Sequence, residues 1–126
     1  MRYISFEEVI LIHAYQLKYF GGGAGVRDVG LIESAISRPQ ATFDSNDLYP
    51  GIFEKAAALG FSIINNHPFG DGNKRTGLHT MLTFLEINGA KLDFSNEKIV
   101  ELGMGIASDE IEEKSLVEIL EKNCNQ

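Results

Sequence analysis

The sequence predicts an all-α domain of about six helices with at most a minor β element. Apolar residues recur at helical spacing through most of the 126 residues. Capping signals and glycine or proline breaks separate the helical segments. No run alternates apolar and polar residues over a useful strand length. No repeat or linker composition divides residues 1–126, so the chain reads as a single domain.

The elements follow in order. Ser5-Phe6-Glu7-Glu8 has capping-box spacing, and the run to Phe20 sets Val9, Ile12, His13, Gln16 and Phe20 around a largely apolar helix. His13 there reads as a structural histidine. Gly21-Gly22-Gly23-Ala24-Gly25 breaks the helix, because such a run has no strong preference for one conformation. Asp28 is placed to cap a short second helix carrying Leu31, Ile32, Ala35 and Ile36, which ends before Pro39. Residues 40–50 are polar, finish in Tyr49-Pro50-Gly51 and read as a surface loop.

From Ile52 a third helix puts Phe53, Ala56, Ala57, Gly60, Ile63 and Ile64 on one stripe, whose small residues permit close approach of another helix. Asn65-Asn66-His67-Pro68 ends it. A fourth begins close to Asn73, has Leu78, Met81, Leu82 and Leu85 at i, i+3, i+4 and i+7, and stops at Asn88-Gly89. Residues 90–94 are the one candidate for extended chain. Ser95 opens a fifth helix toward Ile106, and Ser115-Leu116-Val117-Glu118 repeats the capping-box spacing for a sixth.

Composition narrows the function classes. The 44% hydrophobic content and three prolines fit a globule and argue against disorder. Eleven basic against eighteen acidic residues, 11 − 18 = −7, argue against direct nucleic-acid binding. The single Cys124 excludes an internal disulfide and fits a reducing compartment. No stretch approaches about 20 apolar residues and the start has no signal-peptide layout, so a cytoplasmic protein without membrane contact is expected.

The chemistry concentrates in His67-Pro-Phe-Gly-Asp-Gly-Asn-Lys-Arg75, between the end of one apolar helix and the start of the next. A helix start offers unpartnered N–H groups and a positive dipole end to an anion. Gly70 and Gly72 let the backbone turn and approach a ligand, Pro68 stiffens the turn, and Phe69 anchors it. Neutral imidazole, with an ordinary pKa near ~6.5, can take a proton from an attacking hydroxyl, so His67 is the candidate general base, worth roughly 10²–10⁴-fold. Asp71 is the candidate Mg²⁺ ligand, and Asn73, Lys74 and Arg75 are candidate phosphate ligands. His79, one turn beyond Arg75 on the same face, is within reach of the same ligand. Phosphoryl-type transfer asks a protein for little beyond positioning and charge stabilisation.

This stretch resembles the core motif of the Fic/Doc superfamily, His-Pro-Phe-x-Asp/Glu-Gly-Asn-Gly-Arg-x-x-Arg, most of whose Fic members transfer AMP from ATP to a hydroxyl. Two departures, Lys74 for the second glycine and Leu78 for the last arginine, match instead the Doc (death-on-curing) toxin branch, with its motif His-x-Phe-x-Asp-Ala/Gly-Asn-Lys-Arg. Val26-Arg27-Asp28-Val29-Gly30-Leu31-Ile32-Glu33-Ser34-Ala35 and Arg38-Pro39 resemble the Doc N-terminal segment, so the likeness spans most of residues 1–90.

The resemblance implies a Fic/Doc-like helical bundle using ATP and Mg²⁺. Lys74 fills the room that glycine leaves for the α-phosphate, and Leu78 removes an arginine for the distal phosphates. ATP held the other way round presents its γ-phosphate, and the reaction becomes phosphorylation. Doc toxins are understood to act so on a threonine of elongation factor Tu, which halts translation. The resemblance further implies an antitoxin that folds into a groove of the toxin. Ser108 to Glu112 gives the first spacing of the self-inhibitory Fic signature, but Glu113 follows where Gly or Asn is needed, which favours inhibition in trans. Arg27 and Asp28 are assigned either to a flap that aligns the target peptide or to a loop with a helix cap. The alternatives to a kinase are AMP transfer and a binding module with a degenerate nucleotide site.

Overall fold

Two 15-residue helices, α3 (Ile52–Asn66) and α4 (Asn73–Ile87), form the centre of an all-α fold. A computed structural model describes residues 1–23 and 25–125; Ala24, in the glycine-rich break, and Gln126 lie outside them. The α3 and α4 backbones approach closely because glycines face the contact. A Cβ on Gly77 would stand 2.5 Å from Ile64 Cγ1 and 3.1 Å from the Gly60 carbonyl, and one on Gly60 would stand 2.8 Å from Met81 Cβ. Ala56, Ala57, Ile63 and Ile64 of α3 and Met81, Phe84 and Leu85 of α4 are buried in one core cluster.

The remaining helices are α1 (Phe6–Phe20), α2 (Val29–Ser37), α5 (Asn96–Ala107) and α6 (Glu113–Lys122). They add Val9, Ile32, Ala35, Leu102, Ile106, Leu116 and Leu120 to the same core. Three predicted starts are built as expected. Ser5 Oγ accepts from Glu8 N at 3.2 Å while Glu8 Oε1 accepts from Ser5 N at 3.0 Å. Asp28 Oδ1 accepts from Leu31 N at 3.3 Å, and Ser95 Oγ accepts from Lys98 N at 3.1 Å.

Two details differ from the sequence reading. Residues 40–50 are more ordered than a loop. After a 3₁₀ turn at Arg38–Gln40, β1 (Thr42–Phe43) pairs antiparallel with β2 (Asn46–Asp47) through Asp44 and Ser45, both at positive φ as a tight hairpin turn demands. The sixth helix starts at Glu113, before Ser115, because contacts outside the helix fix its entry: Ile111 packs on Gly105, and Arg38, 75 residues away, grips the Glu113 carboxylate with both terminal nitrogens. Residues 90–94 do extend, with β3 (Lys91–Leu92) pairing β4 (Cys124–Asn125), which buries Cys124. Among the described residues no helix is long and apolar enough to cross a membrane.

Candidate active site

The turn between α3 and α4 is held in place by backbone hydrogen bonds from a distant segment. The Pro68 carbonyl accepts from Arg27 N at 2.8 Å and Asp28 N at 3.0 Å, Val26 and Phe69 form an antiparallel bridge, and Gly70 N donates to the Gly25 carbonyl at 3.3 Å. The Arg27 guanidinium donates to the carbonyls of His67 at 2.7 Å and Asn66 at 2.9 Å. Those carbonyls belong to the end of α3, where the helix leaves acceptors unpaired and its dipole favours a cation. Arg27 therefore serves the frame and Asp28 caps α2; of their two expected roles, the structure displays the cap.

His67 itself is left-handed, φ 52° and ψ 58°, which is uncommon for a residue with a Cβ and costs backbone energy. The anchoring around it offsets that cost and leaves its imidazole exposed at the rim.

Inside the turn, Asn73 acts as a clamp: its Oδ1 accepts from Phe69 N and its Nδ2 donates to the Phe69 carbonyl, both at 3.0 Å. What Asn73 retains for an anion is its backbone N–H at the start of α4. Asp71 Oδ1 accepts from Gly72 N at 2.8 Å, and Oδ2 accepts from Gly23 N at 3.3 Å. Gly72 is left-handed at φ 79°, a conformation that favours glycine.

Buried beneath the turn is His13, whose Nε2–H donates to the Asp71 carbonyl at 2.8 Å while its ring stacks on Phe69, centroids 3.7 Å apart and 7° from parallel. It is structural, as expected, but what it supports is the site. A histidine buried on an apolar helix face was the only signal, since its partner lies 58 residues away.

The first turn of α4 opens on a cleft of about 1040 Å³. Among the described residues no side chain caps this helix, which leaves its leading N–H groups available. His67, Gly70, Asp71, Gly72, Asn73, Lys74, Arg75 and His79 all line the cleft; Arg27 and Asp28 do not. Lys74 and Arg75 are exposed, and the Arg75 guanidinium lies 4.5 Å from the Phe20 ring centroid. The facing wall is apolar, from Ile99, Val100 and Met104 of α5. Leu78 is 7% exposed and packs on Gly103, where a Cβ would stand 2.7 Å from its Cδ1. Gln16 Nε2 donates to His79 Nδ1 at 2.5 Å. Among the described residues no three His, Cys, Asp or Glu side chains gather to hold a metal. One carboxylate, Asp71, suits an ion that takes its other oxygens from phosphates and water, as Mg²⁺ does.

Cations beside an open helix start, facing an apolar wall, suit an anionic ligand with an apolar part. A model of the Fic/DOC family matches residues 3–85, which include the whole turn. The chain belongs to the Fic/DOC family. Two curated relatives place this Fic/DOC chain on the Doc branch. Toxin Doc of Mycolicibacterium smegmatis is 46% identical over 91 residues, covering 71% of the chain and 70% of the relative. Protein kinase doc of Escherichia phage P1 is 34% identical over 122 residues, covering 97% and 95%.

Proposed function

We propose that this chain is a Doc-type toxin that transfers the γ-phosphate of ATP to a Ser/Thr hydroxyl of a protein and so inhibits translation. Elongation factor Tu is the target that the family resemblance favours. The observation that carries the reading is the pairing at α4: Lys74 exposed at the open helix start, and Leu78 turned into the wall against Gly103. A cation thus stands at the phosphate end, and the position of the family's distal arginine offers an anion nothing. The names of the two relatives, one a toxin and one a protein kinase, support the same reading.

His67 accepts the proton of the target hydroxyl as that oxygen bonds to the γ-phosphorus. The bond from the γ-phosphorus to the β–γ bridging oxygen breaks, and ADP leaves. Lys74, Arg75 and the N–H groups of α4 take up the phosphate charge. Asp71 would hold Mg²⁺, which supplies charge neutralisation at the phosphate oxygens when bound. The partner under this reading is an antitoxin whose helix lies in a groove. Leu11, Tyr15 and Tyr19, exposed at i, i+4 and i+8 on α1, are the kind of surface such a segment covers.

The test uses the chain with Mg²⁺, a cell extract and ATP labelled at the α- or γ-position. Label from the γ-position should enter a protein band. Incorporation of α-label instead means AMP transfer, and incorporation of neither leaves a binding module. Lys74→Gly combined with Leu78→Arg should shift incorporation from γ- toward α-label; unaltered labelling would remove Lys74 from the control of orientation.

A further inference from the structure

Gln16 and His79 form a pair that the proposed chemistry has not used. Gln16 is 5% exposed, and burying a carboxamide is unfavourable unless it is hydrogen-bonded. Its bond reaches from α1 to α4, across 63 residues, and ends on an imidazole that lines the cleft. A carboxamide nitrogen only donates, so the Nδ1 it faces is unprotonated and the ring proton sits on Nε2. Tyr15 meets the same ring edge-on, 5.7 Å between centroids and 73° between planes, which further limits its rotation.

Arg75 and His79 lie one turn apart on one face of α4. Between them Leu78 is turned into the wall, and beyond them Leu82 is apolar. Along α4 from the open helix start, His79 is therefore the next hydrogen-bond donor in the cleft after Arg75. We propose that Gln16 is a positioning residue that holds His79 as a neutral Nε2–H donor to the phosphate chain of ATP bound in the cleft. The inference rests on the nucleotide reading of the site, and it assigns the α1 wall a part in recognising that nucleotide. A neutral donor adds binding there without further charge beside Lys74 and Arg75.

The experiment measures binding of ATP with Mg²⁺, and of adenosine, to the full chain by calorimetry, alongside γ-label transfer kinetics and Tm. Gln16→Met keeps the buried volume and removes the donor. It should weaken ATP about 5–10-fold, as expected for one lost neutral hydrogen bond. Adenosine binding should stay constant, and the loss should appear in KM rather than kcat. His79→Phe should reproduce this, and the double variant should be no worse than either single one. Gln16→Glu keeps a proton on Nε2 by favouring the imidazolium, so it should bind ATP at least as tightly as the unaltered chain.

Unchanged ATP binding in Gln16→Met, equal loss of ATP and adenosine, or a Gln16→Glu variant as weak as Gln16→Met would each overturn the assignment. If the unaltered chain binds ATP but transfers the α-label, the kinase reading falls and the Gln16–His79 assignment is judged on binding alone. If it binds no ATP, both fall.

Discussion

The two ends of α3 treat positive charge in opposite ways. At the N-terminal end Lys55 is 1% exposed, its Nζ donating to the Pro39 carbonyl at 2.9 Å and to Asp47 Oδ2 at 3.4 Å, above the Tyr3 ring. Close by, Arg38 is bound through both terminal nitrogens to Glu113 and packs on Tyr49. At the C-terminal end Lys74 and Arg75 are exposed, and among the described residues neither has an ion pair. There the side chains are left open while the backbone is tied down by Arg27, Asn73 and His13. Cations whose donors are satisfied within the fold serve the frame; exposed cations without such partners, on a restrained backbone, are poised for a ligand.

The largest expected effect separates the two ends. His67→Asn should lower label transfer by roughly 10²–10⁴-fold, the value of a general base, while unfolding stays nearly unchanged. Asparagine tolerates the left-handed conformation, and Arg27 grips only the His67 carbonyl, so the frame survives. Transfer that persists in the folded variant would deny His67 its role as base.

Lys55→Ala is the converse. It leaves the Pro39 carbonyl without its partner and opens space beneath Tyr3, so urea unfolding should show a loss of about 2–3 kcal/mol. The Asp47 carboxylate left behind is half exposed, which keeps the cost below that of a stranded buried charge. Transfer per folded molecule should be unaltered. A kinetic defect at full stability would mean the two ends are coupled through α3.

What was legible in the sequence follows from the same contrast. The turn from 67 to 75 could be read because its chemistry is contiguous, and α1 to α5 because period and caps are local. Arg27 could not be assigned, since the carbonyls it binds lie 39 and 40 residues away. The start of α6 was misplaced because Ser115 offers a local cap, whereas Ile111 on Gly105 and Arg38 on Glu113 decide the register. Lys55 sits in an apolar run with nothing nearby to mark it as buried, for its acceptors come from residues 39 and 47. Asn73 carries a second role that its neighbours in sequence do not announce: the residue type fits a phosphate, and its side-chain amide also clamps Phe69.

The smallest expected effect concerns a charge pair that belongs to neither end. Glu8 closes the α1 capping box and also meets Arg2 at 2.6 Å. The Arg2 guanidinium first, then the Ser5 N–H, hold the Glu8 carboxyl below its ordinary value, against a smaller opposing push from burial. A carboxyl depressed on folding contributes stability that is present above the unfolded pKa, near ~4.3, and lost as pH falls through the lower folded value. Because the pair is largely exposed, its worth at pH 7 is under about 1 kcal/mol and shrinks with salt. Glu8→Gln preserves an acceptor for Ser5 N and removes the ion pair. Unfolding of that variant should show a shallower fall in stability from pH 5 to pH 3, with transfer unaffected at pH 7. An equally steep fall would mean that Arg2 contributes nothing. A change in transfer would show that the α1 start is not independent of the cleft, which α1 borders only at its other end, through Gln16 and Phe20.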